Sequence, residues 1–100
     1  MEKYNVKIST AAQKDFLELT ESLDTLPPDE AVKYYDSILE STKVLATNPE
    51  SCPFARDSQL RVRRYRLLTV DKYIYFFVVT GKTVGIRRIL FARRQYEKIL

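Results

Sequence analysis

The chain has 100 residues, of which 45% are hydrophobic and 30% are charged, a composition typical of one globular domain. No apolar run approaches the roughly 20 residues that span a bilayer, and the N-terminus does not resemble a signal peptide. The absence of histidine and the single cysteine, Cys52, exclude a zinc site of the usual ligand types and an internal disulfide. We therefore expect one cytoplasmic domain over residues 1–100, with no metal and no cofactor.

The charges are divided unequally between the two halves of the chain. Residues 1–50 carry five lysines against ten acidic residues, a net charge of −5, whereas residues 51–100 carry twelve basic against three acidic residues, a net charge of +9. All nine arginines lie in the second half. Because arginine suits bidentate phosphate contact, this asymmetry predicts phosphates or an acidic protein as partner, with solvated surface charge as the alternative.

The first half of the chain predicts a strand and two helices. Residues Tyr4–Ser9 alternate apolar and polar side chains, the pattern of a half-buried strand. Thr10 and Gln13 match a capping box, which predicts that Thr10 caps the first helix. The apolar stripe of that helix is Ala12, Phe16, Leu19, Leu23 and Leu26. Pro27-Pro28 ends it, and a second helix follows whose predicted stripe is Ala31, Tyr35, Ile38, Thr42 and Leu45.

The second half predicts a loop and three strands. Glu50–Gln59 has no periodicity and is predicted to be a loop in which Cys52 is packed, because no histidine is present to activate the thiol. Strands are predicted at Leu60–Val70, Tyr73–Val79 and Thr83–Ala92, and the Q-Y-E-K-I-L tail predicts one helical turn. The fold class is therefore α+β, in the order β-α-α-β-β-β, with a helical hairpin packed on a mostly antiparallel four-stranded sheet.

Several segments carry a family resemblance. Y-N-V-K-I-S is followed by A-A-Q-K-D-F, and the proline-linked helix pair ends in L-A-T-N-P. Further on come V-R-R, K-Y-I-Y-F-F-V-V, T-V-G-I-R-R-I-L and the closing A-R-R-Q-Y-E-K-I-L. In this order and spacing, over nearly the whole chain, these segments resemble the RelE/ParE superfamily of toxins from bacterial type II toxin–antitoxin modules.

The resemblance implies a small toxin that a cognate antitoxin neutralises, with one of two activities. RelE-type members cut mRNA on the ribosome, and ParE-type members poison DNA gyrase without nuclease chemistry. We predict the first, a metal-independent and ribosome-dependent mRNA endoribonuclease, with gyrase inhibition as the alternative. A third possibility is a degenerate family member that only binds its antitoxin.

The arginines and one tyrosine supply the candidate site. RNA cleavage by a ribose 2′-OH requires cations for the developing phosphorane charge and groups that transfer protons. Carried over from the resemblance, the predicted catalytic residues are Arg63, Arg64, Arg93 and Tyr96. The predicted RNA-binding residues, which would hold flanking phosphates, are Arg61, Arg66, Arg87 and Arg94.

Four further observations bear on this site. Ile74 stands where many RelE-type members carry an arginine, and Phe91 stands where many carry a histidine; both departures count against RelE-type cleavage. Arg88 lies between apolar residues, so it has a structural alternative, an ion pair with an acidic residue of a helix. Tyr96 also has one, since its ring can pin the tail to the sheet.

Overall fold

The structure, a computed structural model, describes residues 3–92. In chain order the elements are β1 (Asn5–Ile8), α1 (Thr10–Leu23), α2 (Pro28–Thr47), a short helical turn (Pro49–Ser51), α3 (Ser58–Val62), β2 (Arg66–Val70), β3 (Tyr73–Thr80) and β4 (Thr83–Phe91). The predicted α+β class and the order β-α-α-β-β-β are confirmed, with α3 as an additional short helix. The predicted helical turn at the end of the chain lies outside the described residues.

The four strands form one mixed sheet in the order β1-β4-β3-β2. β3 pairs antiparallel with both β2 and β4, whereas β1 pairs parallel with β4. A parallel pair requires a crossover, and here α1 and α2 carry the chain from the β1 edge of the sheet to the β2 edge. The central strands β3 and β4 therefore lie between two shorter edge strands.

Apolar side chains cover both faces of β3, as its sequence predicts. Tyr75 and Phe77 point towards α1 and α2, where they join a core with Leu19 and Leu45. Phe76 points the other way because successive side chains of a strand alternate between faces. The second core, on that other face, consists of Ala55, Leu60, Tyr65, Phe76 and Leu90, and α3 covers it.

The buried stripe of α2 differs from the predicted one. Tyr34 and Ser41 face the core, and Tyr35 and Thr42 face solvent. Ile38 and Leu45 pack as predicted. The prediction failed because Tyr34 and Ser41 resemble their neighbours Tyr35 and Thr42, so the residue types do not separate the two stripes. The Ser41 hydroxyl donates a hydrogen bond to the carbonyl of Ile38 at 2.6 Å and is thus satisfied inside the helix.

The cap of α1 lies one residue earlier than predicted. Ser9, in an extended conformation, is the N-cap, and its Oγ accepts a hydrogen bond from the backbone N–H of Ala12 at 3.1 Å. The backbone N–H of Ser9 also donates to the carbonyl of Ile86, so the residue ends β1 and begins the helix at once. Thr10 is therefore the first helical residue and not the cap.

The predicted strand Leu60–Val70 is wrong in its first half. Asp57 caps α3, since its carboxylate accepts from the N–H groups of Gln59 and Leu60 at 3.0 and 3.1 Å. That cap starts a helix within the segment predicted to be a loop, and β2 begins only at Arg66. As a result, Arg61, Arg63 and Arg64 do not lie on a strand.

Candidate functional site

The structure describes five of the eight predicted site residues. Arg93, Arg94 and Tyr96 lie outside the described residues, so their predicted roles stay predictions. Arg61, Arg63, Arg64 and Arg66 lie in one segment, residues 54–66, which we call the α3–β2 corner. Arg87 lies apart from it, on β4.

The shape of the corner is set by the end of α3. The N–H of Arg64 donates to the carbonyl of Arg61 at 2.9 Å, and the N–H of Tyr65 donates to the carbonyl of Leu60 at 3.0 Å. These two bonds are those of a Schellman motif, in which the residue after the C-cap adopts a left-handed conformation. Arg64 occupies that position with φ of 63°. The turn reverses the chain and directs Tyr65 into the second core.

Arg66 is tied to the fold on three sides. Its Nη1 donates to the carbonyl oxygens of Cys52 and Glu50 at 2.7 and 3.2 Å. Its guanidinium lies 3.9 Å from the centre of the Phe54 ring, a cation–π contact. These contacts fasten the loop before α3 to β2, and phosphate binding by Arg66 would compete with them.

Arg61 and Arg63 also contact the protein. Arg61 Nε donates to the carbonyl of Ala55 at 3.2 Å, which closes the loop onto the helix. The Arg63 guanidinium lies 5.1 Å from the centre of the Tyr65 ring. Both side chains are nevertheless exposed.

Arg87 is presented by a β-bulge. The register passes from Phe76 opposite Arg88 to Phe77 opposite Ile86, which leaves Arg87 as the extra residue of β4. A Cβ added at Gly85 would lie 3.8 Å from Arg87 Nε, so the guanidinium lies over this glycine. Arg87 is exposed, and within residues 3–92 its side chain makes no hydrogen bond or ion pair.

Sequence reasoning missed Lys7. This residue pairs with Gly85 across β1 and β4, so its side chain shares the sheet face on which the Arg87 guanidinium lies. It is exposed. The alternation of β1 predicts that Lys7 lies on the other face of the strand from Val6 and Ile8. Only the parallel pairing with β4 brings Lys7 beside Arg87.

Arg88 takes the structural alternative that the sequence allowed. Its Nε and Nη2 donate to the two oxygens of Asp15 in α1 at 2.7 and 3.0 Å, a bidentate ion pair. The hydrogen bond with Asp15 raises the pKa of the Arg88 guanidinium. This arginine therefore belongs to the fold and not to a surface site.

The described residues provide few groups for proton transfer near the corner. Burial raises the pKa of the Tyr75 phenol and of the Cys52 thiol, so both stay protonated in the core near neutral pH. Cys52 is packed, as predicted. Asp57, the acidic residue of the corner, is occupied as the cap of α3. These three groups are therefore poor candidates for the general acid or base of RNA cleavage.

Three clefts formed by the described residues lie away from these arginines. They have volumes of about 380–400 Å³: one is lined by residues that include Asp15 and Tyr73, and the other two flank α2 near Asp71. None of the three is lined by a predicted site residue. Arg61, Arg63 and Arg64 of the corner are exposed, which suits a macromolecular partner better than an enclosed small molecule.

Two further findings concern the part of the chain that the structure describes. No helix between residues 3 and 92 combines the length and apolarity needed to cross a membrane. No three cysteine or carboxylate side chains in this range converge in a way that could hold a metal ion.

Comparison with known proteins assigns the family. A family model described as the ParE toxin of the type II toxin–antitoxin system parDE matches residues 6–96. Nine chains of solved structures match this chain significantly. One, the chromosomal ParDE TA system from P. aeruginosa, is 25% identical, covers 90% of this chain and 97% of its own, and has a TM-score of 0.67. No curated protein matches significantly.

The chain therefore belongs to the ParE toxin family of type II toxin–antitoxin systems, within the RelE/ParE superfamily that its motifs resemble. It is the toxin component of such a module, and its partner is a cognate antitoxin.

Proposed function

We propose that this toxin arrests growth by binding DNA gyrase, as ParE-type members do, without cutting RNA. The match to the ParE model over residues 6–96 carries this proposal. It reverses the order of the two activities predicted from the sequence, in which the endoribonuclease came first. Gyrase and the toxin would meet in the cytoplasm.

The contacts of the arginines support binding in preference to cleavage. Arg66 bonds two backbone carbonyls, and Arg61 bonds a third. Both were predicted to hold flanking phosphates, and a phosphate would have to compete with these carbonyls for their N–H groups. Ile74, at the position of the missing arginine, is half-buried beside the second core and offers no cationic group.

The antitoxin would cover the outer faces of the two long helices. Leu17 of α1 and Val32, Tyr35 and Leu39 of α2 are large apolar residues that face solvent, and Leu39 is 62% exposed. In α2 these residues follow spacings of three and four, so they form one stripe. An antitoxin helix with apolar and acidic side chains would bury this stripe and extend towards the arginines.

The mRNA endoribonuclease is the second candidate, and exposed cations favour it. Arg56, Arg64 and Arg87 are exposed and make no side-chain hydrogen bond or ion pair within residues 3–92. With Lys7 they could hold the phosphates of a bound strand. The predicted Arg93 and Tyr96 would then supply the chemistry.

Expression of the toxin in cells separates the two candidates. After induction, primer extension on abundant mRNA and an assay of DNA damage are run on the same culture, with co-expressed antitoxin as the control. Gyrase poisoning predicts intact mRNA with induced DNA damage. Codon-phased cuts without DNA damage, abolished by Arg93→Ala in a folded variant, would establish the endoribonuclease instead.

A further inference from the structure

Arg64 stands where glycine is the usual residue. In a Schellman motif the residue after the C-cap adopts a left-handed conformation, and its φ here is 63°. A side chain with a Cβ is strained in this conformation because the Cβ approaches the backbone carbonyl. The fold would therefore be more stable with glycine at this position.

The structure gives the Arg64 side chain no role in the fold. The side chain is exposed and makes no hydrogen bond, ion pair or ring contact within the described part of the chain. Basic residues are favourable at the negative end of a helix, but Arg61 and Arg63 already lie at the end of α3, so the helix dipole does not require a third. Strained residues of this kind cluster at functional sites.

The surroundings of Arg64 indicate the chemistry of its partner. Arg56 and Arg63 are exposed in the same corner, and Asp57, its acidic residue, caps α3. Val62, the last residue of α3, is 81% exposed among these arginines. A partner complementary to Arg56, Arg64 and Val62 carries carboxylates around an apolar side chain.

We propose that the α3–β2 corner binds an acidic segment of a protein partner, in which a carboxylate pairs with Arg64 and an apolar side chain packs on Val62. A single-stranded nucleic acid fits less well, because stacking needs an open ring and the Arg66 guanidinium lies over Phe54 at 3.9 Å. This inference rests on the proposed function, in which the target of the toxin is gyrase. The acidic segment is therefore part of gyrase.

Two variants test the proposal. Arg64→Gly relieves the strained backbone and removes the guanidinium, and Val62→Ser removes only the apolar contact from an exposed position. Asp71→Gly is the matched backbone control, because Asp71 also has a positive φ, of 54°, in the β2–β3 turn. Lys72→Ala, in the same turn, controls for the loss of one positive charge.

Three measurements are made on each variant: the denaturant midpoint, growth arrest on induction, and the affinity for purified gyrase. We expect Arg64→Gly to raise the folding equilibrium constant about three- to fivefold and yet to weaken growth arrest and gyrase binding at least tenfold. Val62→Ser should weaken both without changing the midpoint. Both controls should arrest growth and bind as the natural chain does.

Each contrary outcome is decisive. Full growth arrest by a stabilised Arg64→Gly variant would overturn the proposal. Loss of arrest in Arg64→Gly with full arrest in Val62→Ser would indicate phosphate binding and would also overturn it. If the natural chain arrests growth without binding gyrase, the proposed target is wrong, and growth arrest by the two variants still decides whether the corner binds an acidic protein.

Discussion

Asp15 of α1 holds Arg88 of β4 with both carboxylate oxygens and also accepts the backbone N–H of Ile89 at 3.0 Å. β1 pairs with β4 only as far as Ile86, so beyond that point no strand formed by residues 3–92 neighbours this edge of β4. The carboxylate replaces the missing strand at Ile89 and fixes α1 against the sheet.

Asp15→Ala should therefore destabilise the toxin strongly. It leaves a half-buried guanidinium and a backbone N–H without their partner, a loss of about 3 kcal/mol in the free energy of unfolding. Asp15→Asn, which keeps one acceptor oxygen, should lose less. Denaturant unfolding of the natural chain and both variants measures this order.

The exposed Glu40–Lys43 pair supplies the control for that experiment. Lys43 Nζ and Glu40 Oε1 lie 3.3 Å apart on α2, and both side chains are more than 70% exposed. Glu40→Ala should change the free energy of unfolding by no more than about 0.5 kcal/mol. An Asp15→Ala loss as small as this would show that the Asp15–Arg88 pair does not hold α1 in place.

Arg66 and Arg87 should respond differently to alanine substitution. Arg66→Ala removes the donor from two carbonyls and should lower the free energy of unfolding by about 2 kcal/mol. Arg87→Ala removes an exposed side chain without such bonds and should leave stability within about 0.5 kcal/mol. Denaturant midpoints check both; equal stability of the two variants would contradict the structural role of Arg66.

Ser9 should matter more to stability than its neighbour Thr10. The Ser9 hydroxyl accepts from the N–H of Ala12 and donates to the carbonyl of Arg87 at 2.8 Å, so Ser9→Ala removes a helix cap and a bond to β4. We expect Ser9→Ala to lower the free energy of unfolding by about 1–2 kcal/mol. Thr10→Ala, at the first helical residue, should lower it by no more than about 0.5 kcal/mol. Denaturant unfolding measures both losses, and a larger loss for Thr10→Ala would place the cap at Thr10.

The toxin should lose stability in alkaline solution because of Cys52. Burial raises the thiol pKa in the folded chain above its ordinary value of 9.0, so the unfolded chain releases its proton first as the pH rises. The contribution of Cys52 to the free energy of unfolding is constant below about pH 9. Above that pH it decreases, by at most about 1.4 kcal/mol per pH unit for one proton. Cys52→Ala should show a shallower decrease between pH 8.5 and 10, measured by denaturant unfolding; an unchanged slope would mean that the folded thiol titrates normally.

Periodicity was enough to predict the long elements of this fold. The alternation of β1, the continuous apolar run of β3 and the proline-linked helices each carry a local signal that tertiary packing reinforces. The order of the predicted strands and helices therefore gives the α+β class. It does not distinguish Tyr34 from Tyr35 as the core residue of α2, because two adjacent tyrosines fit neighbouring stripes equally well.

The arginine-rich corner could not be predicted in the same way. α3 has only five residues, too few for a helical period, and its start depends on one carboxylate, that of Asp57. Because the sequence does not predict that helix, it places Arg61, Arg63 and Arg64 on the strand Leu60–Val70 instead. Which arginines bond to the protein also depends on carbonyls distant in sequence, such as that of Cys52 for Arg66.

Supercoiling by purified gyrase is the most direct test of the central claim that this toxin acts by binding its target. Toxin is titrated into gyrase and relaxed plasmid, with and without its antitoxin, and a translating extract with labelled mRNA is treated in parallel. The account predicts that the toxin blocks supercoiling, that the antitoxin relieves the block, and that the mRNA stays intact. Unimpaired supercoiling together with ribosome-dependent cuts in the mRNA would contradict it.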